Sequence, residues 1–330
     1  MAITLDALNL RLLGEWQRNF PLVSRPFGVI GDALGCTETE VLQRLSRLSA
    51  AGAVSRVGAA LRPNAAGAST LAAIAVPEPR IDEVATLISA EPGVNHSYLR
   101  ENDWNIWFVA TGPDRAHIDG TLKRIEAATG LAVLDLPLVQ PYHIDLGFSL
   151  DGTRQGTSGA APADPSMLRH GDHAVLQGLT QGLAIVPRPF AALADELGRA
   201  EIDVIERIRT VTAAGIVSRL GIILRHRALG WRSNAMVVWN LPEADVDRVG
   251  VVLAAATGVT LCYQRRPNQR HWPFNLYCMI HARSRDEALT TLGHAAAEAG
   301  IADLPRQVLF STHCFKQTGA MVVSQREAAA

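Results

Sequence analysis

Three side chains that could bind and protonate an anion recur at alternate positions: His96, Tyr98 and Arg100, in the segment "NHSYLRENDWNIWFVAT". Alternate residues of a β-strand point to the same side of a sheet, so a strand here would place all three on one face. Arginine can hold a carboxylate through two parallel hydrogen bonds, and histidine can donate a proton or ligate a metal near neutral pH. The row predicts either a polar outer sheet face or the wall of a site for an anion.

A second copy of this segment keeps the tyrosine and the arginine but has Leu261 in place of the histidine. The loop "PNQRHWPFN" follows it, and its basic composition suits a flap over an anionic ligand, although such loops are also often simply solvated. The candidates in this copy are Tyr263, Arg265, Arg266, Arg270, His271 and Trp272.

Four more residues complete the candidate set. Trp104 and Trp107 are expected either in the core or as walls on which a flat ligand stacks. His143, in "PYHIDLGF", and His313, in "STHCFKQTG", follow the last predicted strand of each copy and are 313 − 143 = 170 positions apart. A tail at that point can fold over the sheet, so each histidine either completes a site or lies on the surface.

The chain is an internal duplication. "RPFGVIGDALGCTETEVLQRLSRLSAAGAVSRVGAALR" from Arg25 aligns without gaps with "RPFAALADELGRAEIDVIERIRTVTAAGIVSRLGIILR" from Arg188, at a spacing of 188 − 25 = 163. The repeating unit of about 150 residues is too long for a solenoid repeat. Between the copies lies "SLDGTRQGTSGAAPADPS", whose composition is typical of a flexible linker.

Each copy divides again into a helical part and an alternating part. Three helices, one opened by the capping box Thr37-x-x-Glu40, followed by a short hairpin in "AAGAVSRVGAALR", predict a winged helix-turn-helix. The rest reads strand, helix, strand, strand, helix, strand, which predicts an α+β ferredoxin-like sandwich with final strands at 133–138 and 307–311. The predicted domains are 1–63 (winged helix), 64–148 (ferredoxin-like), a linker at 149–169, 170–228 (winged helix) and 229–330 (ferredoxin-like, with a tail).

Composition is that of an ordinary globular protein, with 330 residues, 48% hydrophobic residues and a formal net charge of −1. No apolar run approaches the roughly 20 residues of a membrane helix, and the N-terminus lacks a basic signal region. The four cysteines are scattered, which is typical of reduced thiols in a cytoplasmic protein. Nucleotide-binding, zinc-protease and serine-hydrolase motifs are absent from the sequence, and the histidine spacing fits no closed zinc site.

The order of a winged helix and βαββαβ resembles the leucine-responsive (Lrp/AsnC-like) regulators. The strings "FPLVSRPF", "VSRVGAALR", "GVNHSYLRENDWNIWFVATG" and "PYHIDLGF" resemble one branch of that superfamily, the siroheme decarboxylases. "PYHIDLGF" is similar to the NirD type and "FKQTGA" to the NirL type, so the chain resembles a fusion of the two.

This resemblance implies removal of the C12 and C18 acetate carboxyls of siroheme to give 12,18-didecarboxysiroheme in heme d1 biosynthesis. It implies siroheme and its decarboxylated products as ligands, with other enzymes of heme d1 biosynthesis as further candidate partners. No cofactor beyond the iron tetrapyrrole itself is expected, and no protein-bound metal. His96, Tyr98 and His271 are then candidate catalytic residues, and the remaining candidates would bind substrate in a cleft between two sheets packed as an internal pseudo-dimer, which could itself form a homodimer.

Two other functions stay open from the sequence: a DNA-binding regulator and a non-catalytic tetrapyrrole carrier or sensor. DNA binding is disfavoured because the predicted recognition helices open with Glu38 and Glu40 in one copy and with Glu201 and Asp203 in the other. Carboxylates at these places repel the phosphate backbone, and two unlike helices suit a palindromic operator poorly. We therefore expect neither nucleic acid nor membrane as a partner.

Overall fold

The computed structural model describes residues 5–144 and 162–323 of the chain. These form two compact units, each with residues from both copies. The helical unit comprises 5–67, 162–229 and 319–323, and the barrel unit comprises 68–144 and 230–318. Most of the predicted linker, 149–161, and the end of "PYHIDLGF" lie outside the described residues. None of the described helices is long and apolar enough to cross a membrane.

Three helices and one strand from each copy build the helical unit. They are α1 (Ala7–Glu15), α2 (Pro26–Leu34), α3 (Glu38–Ala50) and β1 (Val54–Leu61), then α6 (Asp172–Gln181), α7 (Pro189–Glu196), α8 (Glu201–Ala213) and β6 (Val217–Leu224). Pro26 opens α2, where a missing N–H is tolerated, and Gly35 ends it with φ of 73°. Thr37 caps α3 by accepting a hydrogen bond from the N–H of Glu40 at 3.2 Å.

The predicted wing hairpin is wrong. β1 does not fold back on itself but pairs antiparallel with β6 of the other copy, with Gly58 opposite Gly221. A Cβ atom at Gly58 would collide with the carbonyl oxygen of Leu179, and one at Gly221 with the backbone of Gln17. The glycines therefore serve close approach of segments from the opposite copy, not a local turn.

A histidine of the helical unit should make stability depend on pH. Burial and the positive charge of Arg219 lower the pKa of His226 from 6.5 to about 4. The folded state therefore binds this proton more weakly than the unfolded chain, so stability falls as the pH drops from about 6.5 towards 4, by up to about 3 kcal/mol. Urea unfolding at several pH values should show a shallower loss in this window for His226→Gln than for the wild type. Equal slopes would contradict this assignment.

Eight strands and four helices build the barrel unit. The first copy supplies β2 (Ala68–Ile74), α4 (Ile81–Ala90), β3 (Val94–Arg100), β4 (Ile106–Gly112), α5 (Arg115–Thr129) and β5 (Val133–Ile144). The second supplies β7 (Ser233–Trp239), α9 (Glu243–Ala255), β8 (Val259–Arg265), β9 (Leu276–Ala282), α10 (Arg285–Glu298) and β10 (Arg306–Gln317). Each copy thus contributes the elements in the order βαββαβ.

The sequence predicted two separate sheets, one in each copy. The structure instead has one closed barrel, in the order β10-β3-β4-β2-β5-β8-β9-β7. The cause is the length of the two final strands. β5 pairs with β2 over Val133–Pro137 and then with β8 of the other copy over Leu138–Ile144. β10 pairs with β7 and then with β3 in the same way. Both final strands therefore cross between the copies, which leaves no open sheet edge.

The two faces of the barrel wall carry different cores. Alternate side chains, among them Trp107, Leu136, Met236 and Leu309, fill the interior. The opposite faces pack against α4 and α5 in the first copy and against α9 and α10 in the second. Any candidate residue can therefore be placed by asking which core its strand neighbours belong to.

Candidate functional site

His96 and Tyr98 on β3 face the barrel interior. They lie opposite Val109 and Trp107 of β4, whose side chains belong to the interior cluster, and directly opposed residues project to the same face. A β-bulge shifts the register after Val94, so Val94 stays in the helix-facing core while His96 turns inward. The two rings are 6.3 Å apart and nearly parallel, at 23°. Both side chains are half-buried and therefore partly accessible.

Arg100 completes the row but is only 5% exposed. One Nη donates to the carbonyl oxygen of Leu309 at 2.9 Å, and both Nη atoms are 3.3 Å from Oδ1 of Asn234. The guanidinium also lies 5.6 Å from the ring centroid of Tyr98. This side chain therefore joins β3 to β10 and β7 of the other copy.

A polar network continues from Arg100 through residues that the sequence did not single out. Nδ2 of Asn234 is 2.8 Å from Nε2 of His281, and Nδ1 of His281 is 2.8 Å from Oγ1 of Thr260. Asn234 and His281 lie opposite each other on β7 and β9. Only the strand register reveals this network, because its members are far apart in the sequence.

Arg265 repeats the arrangement of Arg100 in the second copy. Its Nη1 donates to the carbonyl oxygen of Leu136 at 2.7 Å, and its guanidinium lies 4.6 Å from the ring centroid of Tyr263. Leu136 and Leu309 occupy matching places on the two crossing strands. The arginines thus form a pair of symmetric clamps, each holding the crossing strand of the opposite copy.

The basic loop between β8 and β9 is a short hairpin anchored by Trp272. Asn268 and Trp272 exchange backbone hydrogen bonds of 2.9 and 2.7 Å. The Trp272 ring is 2% exposed, meets Trp107 of the other copy at 5.1 Å, and donates through Nε1 to the hydroxyl of Tyr277 at 2.8 Å. Burial raises the pKa of Tyr277 above its ordinary value, so this hydroxyl stays neutral. The tryptophan therefore belongs to the barrel core.

The charged part of the same loop is exposed. Arg266, Arg270 and His271 all face solvent. The backbone N–H of Arg266 donates to the carbonyl oxygen of Pro137 at 2.9 Å, and the N–H groups of Arg270 and His271 donate to Oδ1 of Asn268 at 3.2 and 3.1 Å. His271 reaches Trp104 edge-on, with 6.4 Å between ring centroids. The hairpin thus has a buried aromatic anchor and a free cationic tip.

His143 and His313 lie within strands rather than in tails, because β5 and β10 continue past the predicted ends. His143 pairs with Cys262, which belongs to a helix-facing core, and His313 pairs with Leu99, which also packs on the helix side. Both imidazoles therefore sit on the face opposite to His96. The register also makes Lys316 the counterpart of His143, so the two histidines are not equivalent positions.

The interior of the barrel therefore brings together one part of the candidate set and leaves the other outside. Facing inward are His96, Tyr98, Arg100, Trp107, Tyr263, Arg265 and Trp272. Trp104, in the loop after β3, packs against this interior cluster, and at the loop tip or on the outer face are His143, Arg266, Arg270, His271 and His313.

Two protein families match the chain twice each. The AsnC-like ligand-binding domain matches residues 66–143 and 228–316, and the siroheme decarboxylase NirDL-like HTH domain matches 10–54 and 172–217. The siroheme decarboxylase NirDL subunit of Paracoccus denitrificans (strain Pd 1222) is 56% identical over 320 residues, which span 97% of this chain and 98% of that protein. The chain belongs to the siroheme decarboxylase NirDL family.

The fold agrees with solved members of this family. A crystal structure of the siroheme decarboxylase NirDL superimposes with a TM-score of 0.67 and 24% identity, covering 96% of this chain and 94% of that one. A second, in co-complex with an iron-uroporphyrin III analogue, gives a TM-score of 0.65 and 24% identity, covering 92% and 90%. At this identity the likeness concerns the fold alone.

The two helices predicted as recognition helices, α3 and α8, each begin with a glutamate that forms an ion pair. Glu38 at the start of α3 pairs with Arg25, and Glu201 at the start of α8 pairs with Arg188. Arg44 is likewise bound to two carboxylates of its own copy. The helix starts thus present carboxylates and engaged arginines, a poor surface for phosphates. Absence of DNA binding stays a prediction.

The described residues contain no group of three or more His, Cys, Asp or Glu side chains that could hold a metal ion. All four cysteines are free thiols, and burial raises the pKa of Cys278 to about 12. The interior face presents an imidazole and a phenol, His96 and Tyr98, which can donate a proton or hydrogen-bond to an anion.

Proposed function

We propose that the chain is a siroheme decarboxylase, a carboxy-lyase that converts the C12 and C18 acetate groups of siroheme to methyl groups. The product is 12,18-didecarboxysiroheme, an intermediate of heme d1 biosynthesis. The single observation that carries this proposal is the 56% identity with the Paracoccus denitrificans NirDL subunit across nearly the full length of both chains.

The reaction needs little beyond a proton and a fixed geometry. Each step breaks the bond between the acetate CH₂ and its carboxylate, releases CO₂ and leaves an electron pair on the CH₂ carbon. The conjugated macrocycle delocalises that pair, and one proton converts the CH₂ to CH₃. Siroheme itself supplies the electron sink, so no separate cofactor is required.

Within this proposal His96 delivers the proton and Tyr98 orients its ring. These are two half-buried groups on one face, and an imidazole is a common proton donor in catalysis. We assign peripheral carboxylates of the substrate to the exposed tip of the loop, Arg266, Arg270 and His271. Arg100 and Arg265 act as positioning residues, because each guanidinium already holds a backbone carbonyl oxygen of a crossing strand.

The domain organisation of the chain is also a proposal. We propose two tandem modules, each a helix-turn-helix joined to a ferredoxin-like βαββαβ domain, close to the boundaries set out above and joined by the 149–169 linker. The single strand after each helix-turn-helix, β1 or β6, pairs with that of the other copy in place of a wing hairpin. Support comes from the paired family matches and from the strand order β5-β2-β4-β3 within the first copy. The copies are unlike at the His96 and Leu261 positions, so we infer that they do not contribute equally to catalysis.

Incubation of the purified chain with siroheme in the absence of oxygen tests the proposal. We expect consumption of siroheme and appearance of a product that lacks two carboxyl groups, separated by chromatography. Binding of siroheme without conversion would indicate a carrier. No binding at all would exclude both the enzyme and the tetrapyrrole carrier.

A further inference from the structure

A cavity in the second copy has the lining of an anion site and is not part of the barrel interior described above. It measures about 170 Å³ and lies where β7 begins, β9 passes into α10 and β10 changes partners. Its lining residues are Arg232, Ser233, Arg283, Ser284, Arg285, Phe310 and Ser311. Three arginines and three hydroxyls thus converge on one small volume.

The hydroxyl of Ser233 is the most telling of these groups. The side chain is 7% exposed, and its Oγ has no hydrogen-bond partner among the described residues. A buried hydroxyl without a partner is costly, and in native structures it usually marks a missing water or ion. Because Ser233 lines the cavity, a bound acceptor there would satisfy it.

The start of α10 adds donors to the same cavity. α10 runs over 14 residues, and the N–H groups of its first turn have no acceptor within the helix. Ser284 caps it by accepting from the N–H of Glu287 at 3.1 Å, while the carboxylate of Glu287 accepts from the N–H of Arg283 at 2.8 Å. Glu287, one of the two acidic residues of this first turn, is thus engaged in capping, and the partial positive charge of the helix start favours an anion.

The arginines around the cavity are held in place by aromatic rings. The Arg283 guanidinium lies 5.1 Å from the ring centroid of Trp231, and that of Arg285 lies 4.5 Å from the ring centroid of Phe310. Arg285 also forms an ion pair with Glu101. Guanidinium groups fixed in this way are prepared to hold an oxyanion without first losing their rotational freedom.

The first copy lacks this site. The register of β2 with β4 and of β7 with β9 makes Ala68 the counterpart of Ser233, and continuing along the chain places Pro113 and Asp114 where Arg283 and Ser284 lie. The first copy thus has a methyl group, a proline and a carboxylate in place of a hydroxyl, a guanidinium and a second hydroxyl. The cationic cavity is therefore specific to one copy and not a general consequence of the fold.

We propose that this cavity is a binding site for one oxyanion group, a phosphate or a carboxylate. The cavity can accept a free small anion or a carboxylate group of a larger molecule such as the tetrapyrrole. The chemistry that recognises either is the same: charge-assisted hydrogen bonds from guanidinium groups, together with the Ser233 hydroxyl.

Calorimetric titration of the full-length chain with inorganic phosphate at low ionic strength tests this site. We expect one phosphate per chain, binding about tenfold or more weaker in Arg283→Gln and several-fold weaker in Ser233→Ala. Ser233→Ala copies the first copy's own residue, so it should fold even where the arginine variant does not. The matched control is Arg115→Gln, which alters the first-copy counterpart of Arg285 and should bind phosphate as the wild type does.

No phosphate uptake by the wild type, or uptake unaffected by Ser233→Ala and Arg283→Gln, would overturn the proposal. Repeating the titration with siroheme present distinguishes the source of the anion. Displacement of phosphate by siroheme identifies a substrate carboxylate as the occupant, whereas simultaneous binding identifies a free anion, and both results support the site. The phosphate titration does not depend on the proposed enzymatic function, so the two can fail separately.

Discussion

Replacing His96 by alanine should slow release of CO₂ from siroheme by about 10²-fold or more, the usual cost of removing a general acid. The side chain is half-buried on the interior face of β3, stacked against Tyr98, and its position in the second copy holds Leu261. Single-turnover rates in the absence of oxygen measure the effect, and siroheme uptake should be retained because proton delivery, not binding, is lost.

Two further variants make this result specific. His96→Leu installs the residue found at the matching place of the second copy, so it should fold and should be as slow as His96→Ala. His294→Ala removes an exposed histidine of α10 and should leave the rate unchanged. Full activity in well-folded His96→Leu would remove this imidazole from the mechanism.

Replacing Trp272 by alanine should lower the free energy of unfolding by about 3–5 kcal/mol, the range for truncating a large buried aromatic side chain. The ring is 2% exposed and contacts Trp107 of the other copy, Phe274 and the Tyr277 hydroxyl. Its loss leaves a cavity in the barrel interior and removes the hydrogen bond to that hydroxyl. Urea unfolding followed by circular dichroism measures the change.

The neighbouring residue provides the control. His271 is exposed at the tip of the same hairpin, so His271→Ala should change stability by no more than about 0.5 kcal/mol. If Trp272→Ala were as stable as His271→Ala, the hairpin would not be anchored in the barrel, and its role as a fixed support for the cationic tip would be lost.

Local patterns predicted the elements of this chain better than their pairing. The capping box at Thr37 predicted the start of a helix, and α3 begins at the next residue, Glu38. The barrel was missed because the predicted final strands, 133–138 and 307–311, end near the places where β5 and β10 change partners, and pairing with a strand of the other copy leaves no local pattern. In the structure Pro137 is the last residue of β5 that pairs with β2, and Pro141 adjoins a register shift against β8.

In the candidate site, too, local features were predicted and contacts between distant residues were not. Alternation along one strand correctly grouped His96, Tyr98 and Arg100, because the period of a strand is a local property. Their partners Asn234 and Leu309 lie 134 and 209 positions from Arg100, and no local pattern connects them. His143 was matched to His313 on the assumption of a constant spacing of 170 positions between the copies. The spacing between matching positions in fact increases along the chain, so that the two histidines lie at different register positions of β5 and β10.

The central claim is that this chain replaces two carboxyl groups of siroheme by protons, and the reaction in deuterated water tests it most directly. Mass spectrometry of the product should show the loss of two CO₂ units and one deuterium in each new methyl group, because each CH₂ carbon takes its proton from a group that exchanges with solvent. Recovery of unchanged siroheme after prolonged incubation with folded protein, or methyl groups without deuterium, would contradict the account.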